Sequence, residues 1–319
     1  MLFSSLETIR QLFKTIYHRL SQHARVYSVY REDLFEFCRS KLGSFSKDVR
    51  FCGLPLLVEK KEEGMNEGIK APRFHDKNVV VIGASRGLGR AIVAAAHAEG
   101  ARVLAVARSA EPLKQLAAEF PGVRILALDA TSEDAPAQVF ETLAPDVLVV
   151  CAGAIPHMAP LVEQNWEQFS RNWNSDVKMS LLFSQAALTT PLPAGTTVIL
   201  ISSGAAVNGS PLSGGYAGAK RMQMFLANYA QKEADRLQLG LRFLALVPGG
   251  IIPTTDLGKV AVEAYASSLG ISTADFIENR EVKPTAEDVA NAVVECASNP
   301  QERAGKAFLV SGAGVKLVS

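Results

Sequence analysis

Val79-Val80-Val81-Ile82-Gly83-Ala84-Ser85-Arg86-Gly87-Leu88-Gly89 is a β-branched run that breaks into glycines and leads into an alanine-rich stretch ending at Glu99. A continuous apolar run, without polar alternation, suits a parallel strand covered on both faces. Glycines at the turn let the backbone reverse tightly. They also let a pyrophosphate approach the N–H groups at the head of the next helix, where the dipole favours negative charge. Strand, glycine turn and helix in this order predict the first unit of a nucleotide-binding α/β sheet.

The same alternation continues outward from this unit. Val79 to Ile82, Arg102 to Ala107, Arg124 to Leu128, Val147 to Val150, Thr197 to Ile201, Arg242 to Val247 and Ala307 to Val310 read as strands. Gly87 to Glu99, Glu111 to Glu119, Ala135 to Leu143, Trp166 to Leu188, Tyr216 to Leu237 and Ala286 to Ala297 read as helices between them. The pattern predicts a doubly wound, Rossmann-type parallel sheet in a single catalytic domain, residues 65–319. The segment Thr255 to Lys283 reads as a mixed-polarity helical cover.

Residues 1–64 form a different region, an N-terminal helical extension. Leu2, Phe3, Leu6, Ile9, Phe13, Ile16, Tyr17 and Leu20 recur at helical spacing beside Arg10, Lys14 and Arg19. The result is a basic amphipathic helix, compatible with a mitochondrial transit peptide, a membrane-surface helix or a helix that packs on a partner. Lys60-Lys61-Glu62-Glu63-Gly64 is a polar linker, and codons for Lys-Glu-Glu-Gly can spell a ribosome-binding site just before Met65. A second expectation is therefore that synthesis begins at Met65, which intact mass tests.

The 319 residues carry 33 Lys and Arg against 32 Asp and Glu, a balance that gives no charge-based reason to expect nucleic-acid binding. Cys38, Cys52, Cys151 and Cys296 are scattered, without zinc-site pairs or disulfide-scaffold density, as in a reducing, cytoplasmic compartment. No apolar run is long enough to predict a transmembrane span.

Charge at the end of the second strand bears on the nucleotide. An acidic residue there would accept from a ribose 2′-hydroxyl, but the chain has Ala107-Arg108-Ser109. Arg108, with Arg86 in the glycine turn, suits a 2′-phosphate, so NADP(H) is expected over NAD(H). Later, Tyr216 and Lys220 stand four apart at the head of a helix, on one face, where the ammonium favours the ionised phenol. Ser202-Ser203 ends a strand thirteen residues before Tyr216.

Glycines at 83, 87 and 89, with Ser203, Tyr216 and Lys220 in this order and spacing, resemble the short-chain dehydrogenase/reductase family over roughly residues 75–315. The resemblance implies hydride transfer between a nicotinamide and a carbonyl or alcohol substrate. In it Ser203 orients the substrate oxygen, Tyr216 is the general acid or base, and Lys220 tunes Tyr216 and holds the nicotinamide ribose. It implies cofactor contacts from Gly83, Ser85, Arg86, Gly87, Leu88 and Gly89, from Asp129 to the adenine, and from Ala152 and Gly153. Pro248, Gly249 and Ile251 belong to a turn that passes the carboxamide.

Three positions depart from the family pattern. Ile82 replaces a threonine, and Cys151, read as a buried substitute and not a nucleophile, replaces an asparagine. Aligned on Phe183, Lys178 replaces the asparagine that supports a water chain to the active lysine, so Lys178 is expected either to swing away or to add its charge to Lys220. His157 reads as a bystander in the loop beyond Cys151. The resemblance further implies a homodimer or homotetramer packed through the Trp166 and Tyr216 helices. The competing reading of these departures is a catalytically impaired NADP-binding sensor of the same fold.

Overall fold

The computed structural model describes residues 72–278, 284–299 and 301–318, all within the unit Ile69–Ser319. The predicted helical extension, residues 1–64, lies outside the described residues.

The seven predicted strands are present as β1 (Asn78–Ile82), β2 (Arg102–Ala107), β3 (Arg124–Ala127), β4 (Val147–Val150), β5 (Thr197–Ile201), β6 (Arg242–Pro248) and β7 (Ala307–Ser311). They lie parallel in the order β3-β2-β1-β4-β5-β6-β7. An eighth strand, β8 (Gly314–Leu317), absent from the sequence reading, folds back antiparallel on β7. Parallel neighbours need crossovers, and the helices supply them: α1 (Gly87–Ala98), α2 (Ala110–Glu119), α3 (Ala135–Thr142), α4 (Trp166–Asn172), α5 (Lys178–Thr189), α6 (Ala205–Asn208) and α7 (Gly214–Arg236). Then come α8 (Asp256–Leu269), α9 (Thr273–Glu278) and α10 (Ala286–Ser298).

Successive strand residues face opposite sides, so β1 divides its side chains between two cores. Val79 and Val81 pack with Ile92 of α1, Leu113 of α2 and Val293 of α10. Val80 and Ile82 pack with Val139 of α3, Phe183 of α5 and Leu226 of α7. Both faces are thus covered, which is why the strand runs are continuously apolar.

The predicted single helix from Trp166 to Leu188 is a broken one. Between α4 and α5, Trp173–Val177 forms a π-helical turn. Such a turn takes a carbonyl out of the ordinary ladder. The Asp176 carbonyl accepts from the Ser180 hydroxyl at 2.8 Å, and the Gln223 amide on α7 donates to that hydroxyl at 2.7 Å.

Strand order reverses across β1 and β4, leaving a crevice beyond their carboxyl ends. The turns after β1, β2, β3 and β4 meet the head of α7 there, around a cavity of about 430 Å³.

Candidate active site

The glycine turn forms one wall of this cavity. Gly83 has φ +91°, and a Cβ on it would lie 2.6 Å from the Ala152 backbone; one on Gly89 would lie 2.0 Å from the Gly83 carbonyl oxygen. These approaches hold the β1 turn against both the β4 turn and the first turn of α1. Helix α1 has no side-chain cap, since Arg86 at its N-cap makes no capping bond. Its leading N–H groups are therefore available to an anion, as a dinucleotide phosphate requires.

Gly83, Ser85, Arg86, Gly87, Leu88 and Gly89 all line the cavity, as do Arg108, Asp129, Ala152 and Gly153. Arg108 is exposed at the end of β2. Asp129 accepts from the Thr131 N–H at 3.0 Å and the Thr131 hydroxyl at 2.8 Å. These bonds hold its carboxyl below the usual range, with smaller help from the charges of Arg108 and Lys178. Arg86 is already engaged, donating to Asp256 at the start of α8 at 2.7 Å. Of the expected carboxamide turn, Pro248, Gly249 and Ile251 do not line the cavity; the Pro248 carbonyl accepts from the Gly204 N–H at 2.7 Å.

At the other end stand Tyr216 and Lys220, one helical turn apart on α7 and both buried. The Lys220 Nζ lies 5.6 Å from the Tyr216 ring centre and donates to the Ile201 carbonyl at 3.2 Å. Ser203, just past β5, accepts from the Ala205 N–H at 3.3 Å and stands near enough to the Tyr216 phenol to favour its ionised form. Gly215 lets α7 come this close to α4, because a Cβ there would sit 1.9 Å from the Phe169 carbonyl oxygen.

Asp176, in the π turn, completes the cluster. Its Oδ2 lies 3.0 Å from the Lys220 Nζ, and the carboxylate is fully buried. Its Oδ1 accepts from the Ala154 N–H at 2.9 Å and the Ser175 hydroxyl at 2.6 Å. Asn172, one turn earlier, donates to the Ala154 carbonyl at 2.7 Å.

Residues 77–265 match the family model described as short chain dehydrogenase. The chain belongs to that family. Human L-xylulose reductase is 33% identical over 109 residues, covering 34% of this chain and 45% of that protein. Carbonyl reductase [NADPH] 2 of Sus scrofa is 30% identical over 132 residues, 41% of this chain and 54% of that protein. A short chain dehydrogenase/reductase, AacuD of Aspergillus aculeatus, is 31% identical over 181 residues, 54% of this chain and 63% of that protein. The chain thus spans about half the length of the two mammalian relatives.

Within this short-chain dehydrogenase, the structure does not bring Lys178 to the cluster. Lys178 is exposed on α5, outside the cavity lining, and its charge is felt by Asp129. Asp176, two residues earlier, is the side chain that meets Lys220. The sequence carried a signal for this: Asp176 precedes Phe183 by seven residues, on one helical stripe with buried Asn172, Ser180 and Ala187, whereas Lys178 is off that stripe. His157 does not line the cavity.

The electrostatics differ from the expected depressed tyrosine. Burial pushes the Tyr216 phenol above its ordinary value of 10.0; Lys220 and the Ser203 hydroxyl pull it down, while Asp176 and Cys151 push it up. Burial alone would lower the Lys220 ammonium, but the Asp176 carboxylate, followed by Tyr216, holds it above its ordinary value. Burial also pushes the Cys151 thiol up to about 11, which leaves it a poor nucleophile at neutral pH.

Proposed function

We propose that the protein is an NADP(H)-preferring oxidoreductase that interconverts a carbonyl and an alcohol, with Tyr216 as general acid or base. Tyr216 and Lys220 at one end of a cavity whose other end is an uncapped helix head, with Ser203 beside the phenol but outside the cavity lining, carry this reading. Gly83, Gly87, Gly89 and the first N–H groups of α1 would hold the pyrophosphate, Arg108 the 2′-phosphate, and Ala152 and Gly153 the nicotinamide ribose. When bound, the dinucleotide supplies or accepts the hydride. As a carbonyl carbon gains that hydride, the C=O π pair moves onto oxygen. Ser203 donates a hydrogen bond to the growing charge, and Tyr216 gives up its proton to form the alcohol. The resulting phenolate is reprotonated from solvent. Lys220 and Asp176 hold the pair in place throughout.

The helix faces support a homo-oligomer. Trp166 on α4 is 77% exposed, and Phe225 and Tyr229 on α7 are each 59% exposed, an apolar surface suited to a second copy. Among the described residues no helix is long and apolar enough to cross a membrane, and no group of three or more His, Cys, Asp or Glu could hold a metal ion.

The test is NADPH oxidation, followed by absorbance, against ketones, aldehydes, quinones and sugar ketones, with the Tyr216→Phe variant beside the native chain. Loss of turnover by about 10²-fold or more with NADPH binding retained is expected. NADPH binding without any Tyr216-dependent turnover would overturn the reading in favour of a nucleotide-sensing role.

A further inference from the structure

We propose that Asp176 is a positioning residue that keeps the Tyr216–Lys220 pair in its proton-donating form, so that the pH limbs of the reaction lie further alkaline than Lys220 alone would set them. The inference rests on the oxidoreductase reading of the site.

The geometry carries it. One buried carboxylate joins two walls of the cavity: Oδ2 is 3.0 Å from the Lys220 ammonium, and Oδ1 takes the Ala154 N–H at 2.9 Å. A Cβ on Gly153 would lie 2.6 Å from Oδ2, so the carboxylate is pressed against the turn that follows β4. Asn172 grips the Ala154 carbonyl while Asp176 grips its N–H, fixing both backbone groups of one residue. Asp176 lies within the π turn, buried and facing Lys220 of α7.

The charge has a direct consequence. An unopposed ammonium beside a phenol favours the phenolate. Here a full negative charge sits against that ammonium inside the protein, where screening by water is weak. The groups bearing on Tyr216 are Lys220 from the same helix, Asp176 from the π turn, Cys151 from the β4 turn and Ser203 from the β5 turn. Burial opposes ionisation most, Lys220 and Ser203 favour it, and Asp176 and Cys151 add to the opposition. A neutral amide at 176 would keep an acceptor for Ala154 and remove the negative charge that holds the proton on the Tyr216–Lys220 pair.

Asp176→Asn is therefore expected to move the alkaline limb of carbonyl reduction, and the rising limb of alcohol oxidation, toward acid by about one pH unit. At a pH below both limbs this raises the ratio of oxidation to reduction about tenfold. The same limbs in a folded Asp176→Asn variant that still binds NADPH would overturn the assignment. A variant that merely loosened the turn would lower turnover without moving the limbs, and that result also refutes it. Should Asp176→Asn fail to fold, a folded Asp176→Ser variant, also neutral and smaller, reads the same limbs. Limbs in that variant that coincide with the native ones would overturn the proposal. NADPH binding without turnover by the native chain would instead sink the oxidoreductase reading itself, so the two failures are distinguishable.

Discussion

Replacing Gly89 by alanine tests whether close packing of α1 on the glycine turn is what makes the phosphate cradle. The added Cβ would lie 2.0 Å from the Gly83 carbonyl oxygen, where ordinary contact begins near 3.4 Å, so the backbones must part by about 1.4 Å. Neither side yields easily. Helix α1 is anchored through buried Ile92, Val93 and Ala96 in the core it shares with α10. The turn is held from β2, whose Val106 carbonyl accepts from the Gly83 and Ala84 N–H groups at 2.8 and 3.0 Å. Forcing one extra carbon into such packing costs about 1–3 kcal/mol. For a domain of this size each kcal/mol lowers Tm by roughly 2–4 °C, which gives a fall of about 2–12 °C. The same displacement stretches phosphate hydrogen bonds of about 2.9 Å beyond useful length, so NADPH affinity should drop by at least about tenfold. Thermal denaturation and a fluorescence titration with NADPH read the two effects on one sample. A Gly89→Ala protein that melts within a degree of the native chain and binds NADPH equally well would refute this account of the turn.

Two further substitutions separate the charged residues around the cavity. Arg108→Ala should weaken NADPH binding by about 10-fold or more and leave NADH within about twofold, since a hydrogen bond to a charged group is worth about 1.5–3 kcal/mol; equal losses for both nucleotides would count against a 2′-phosphate role. Lys178→Asn should leave the pH profile of turnover where it is, because the side chain is exposed on the Asp129 side of the cavity; a shifted profile would return Lys178 to the proton path.

What the sequence made legible was local. The β1 run, the glycine turn and the α1 helix are contiguous, and each signals itself by composition, so the first strand–turn–helix unit could be read directly. Tyr216 and Lys220 were legible for the same reason, lying one helical turn apart. The Arg86 partner was not, because Asp256 stands 170 residues away and only the packing of α8 brings it near. β8 escaped notice because Gly314–Leu317 is short, with one small and one charged residue among four, and shows neither a continuous apolar run nor clean alternation. Asp176 was legible only in helical phase. Spacing counted back from Phe183 to a family position selected Lys178, whereas helical phase from the same phenylalanine selects Asp176. The tyrosine environment could not be inferred at all without that carboxylate, since its sign opposes the one contributed by Lys220.

The first turn of α8 touches the phosphate cradle. Arg86 is bound to Asp256 at 2.7 Å, and the Thr255 methyl is 3.4 Å from where a Cβ on Gly87 would lie. Helix α8 and the glycine turn are therefore one thermodynamic system. If the turn holds a dinucleotide as proposed, whatever shifts the start of α8 also changes that affinity, and by reciprocity the dinucleotide shifts the equilibrium of α8 by the same factor. The link runs through a largely exposed ion pair worth at most about 1 kcal/mol, so the two ends can feel each other by up to about fivefold and remain separable.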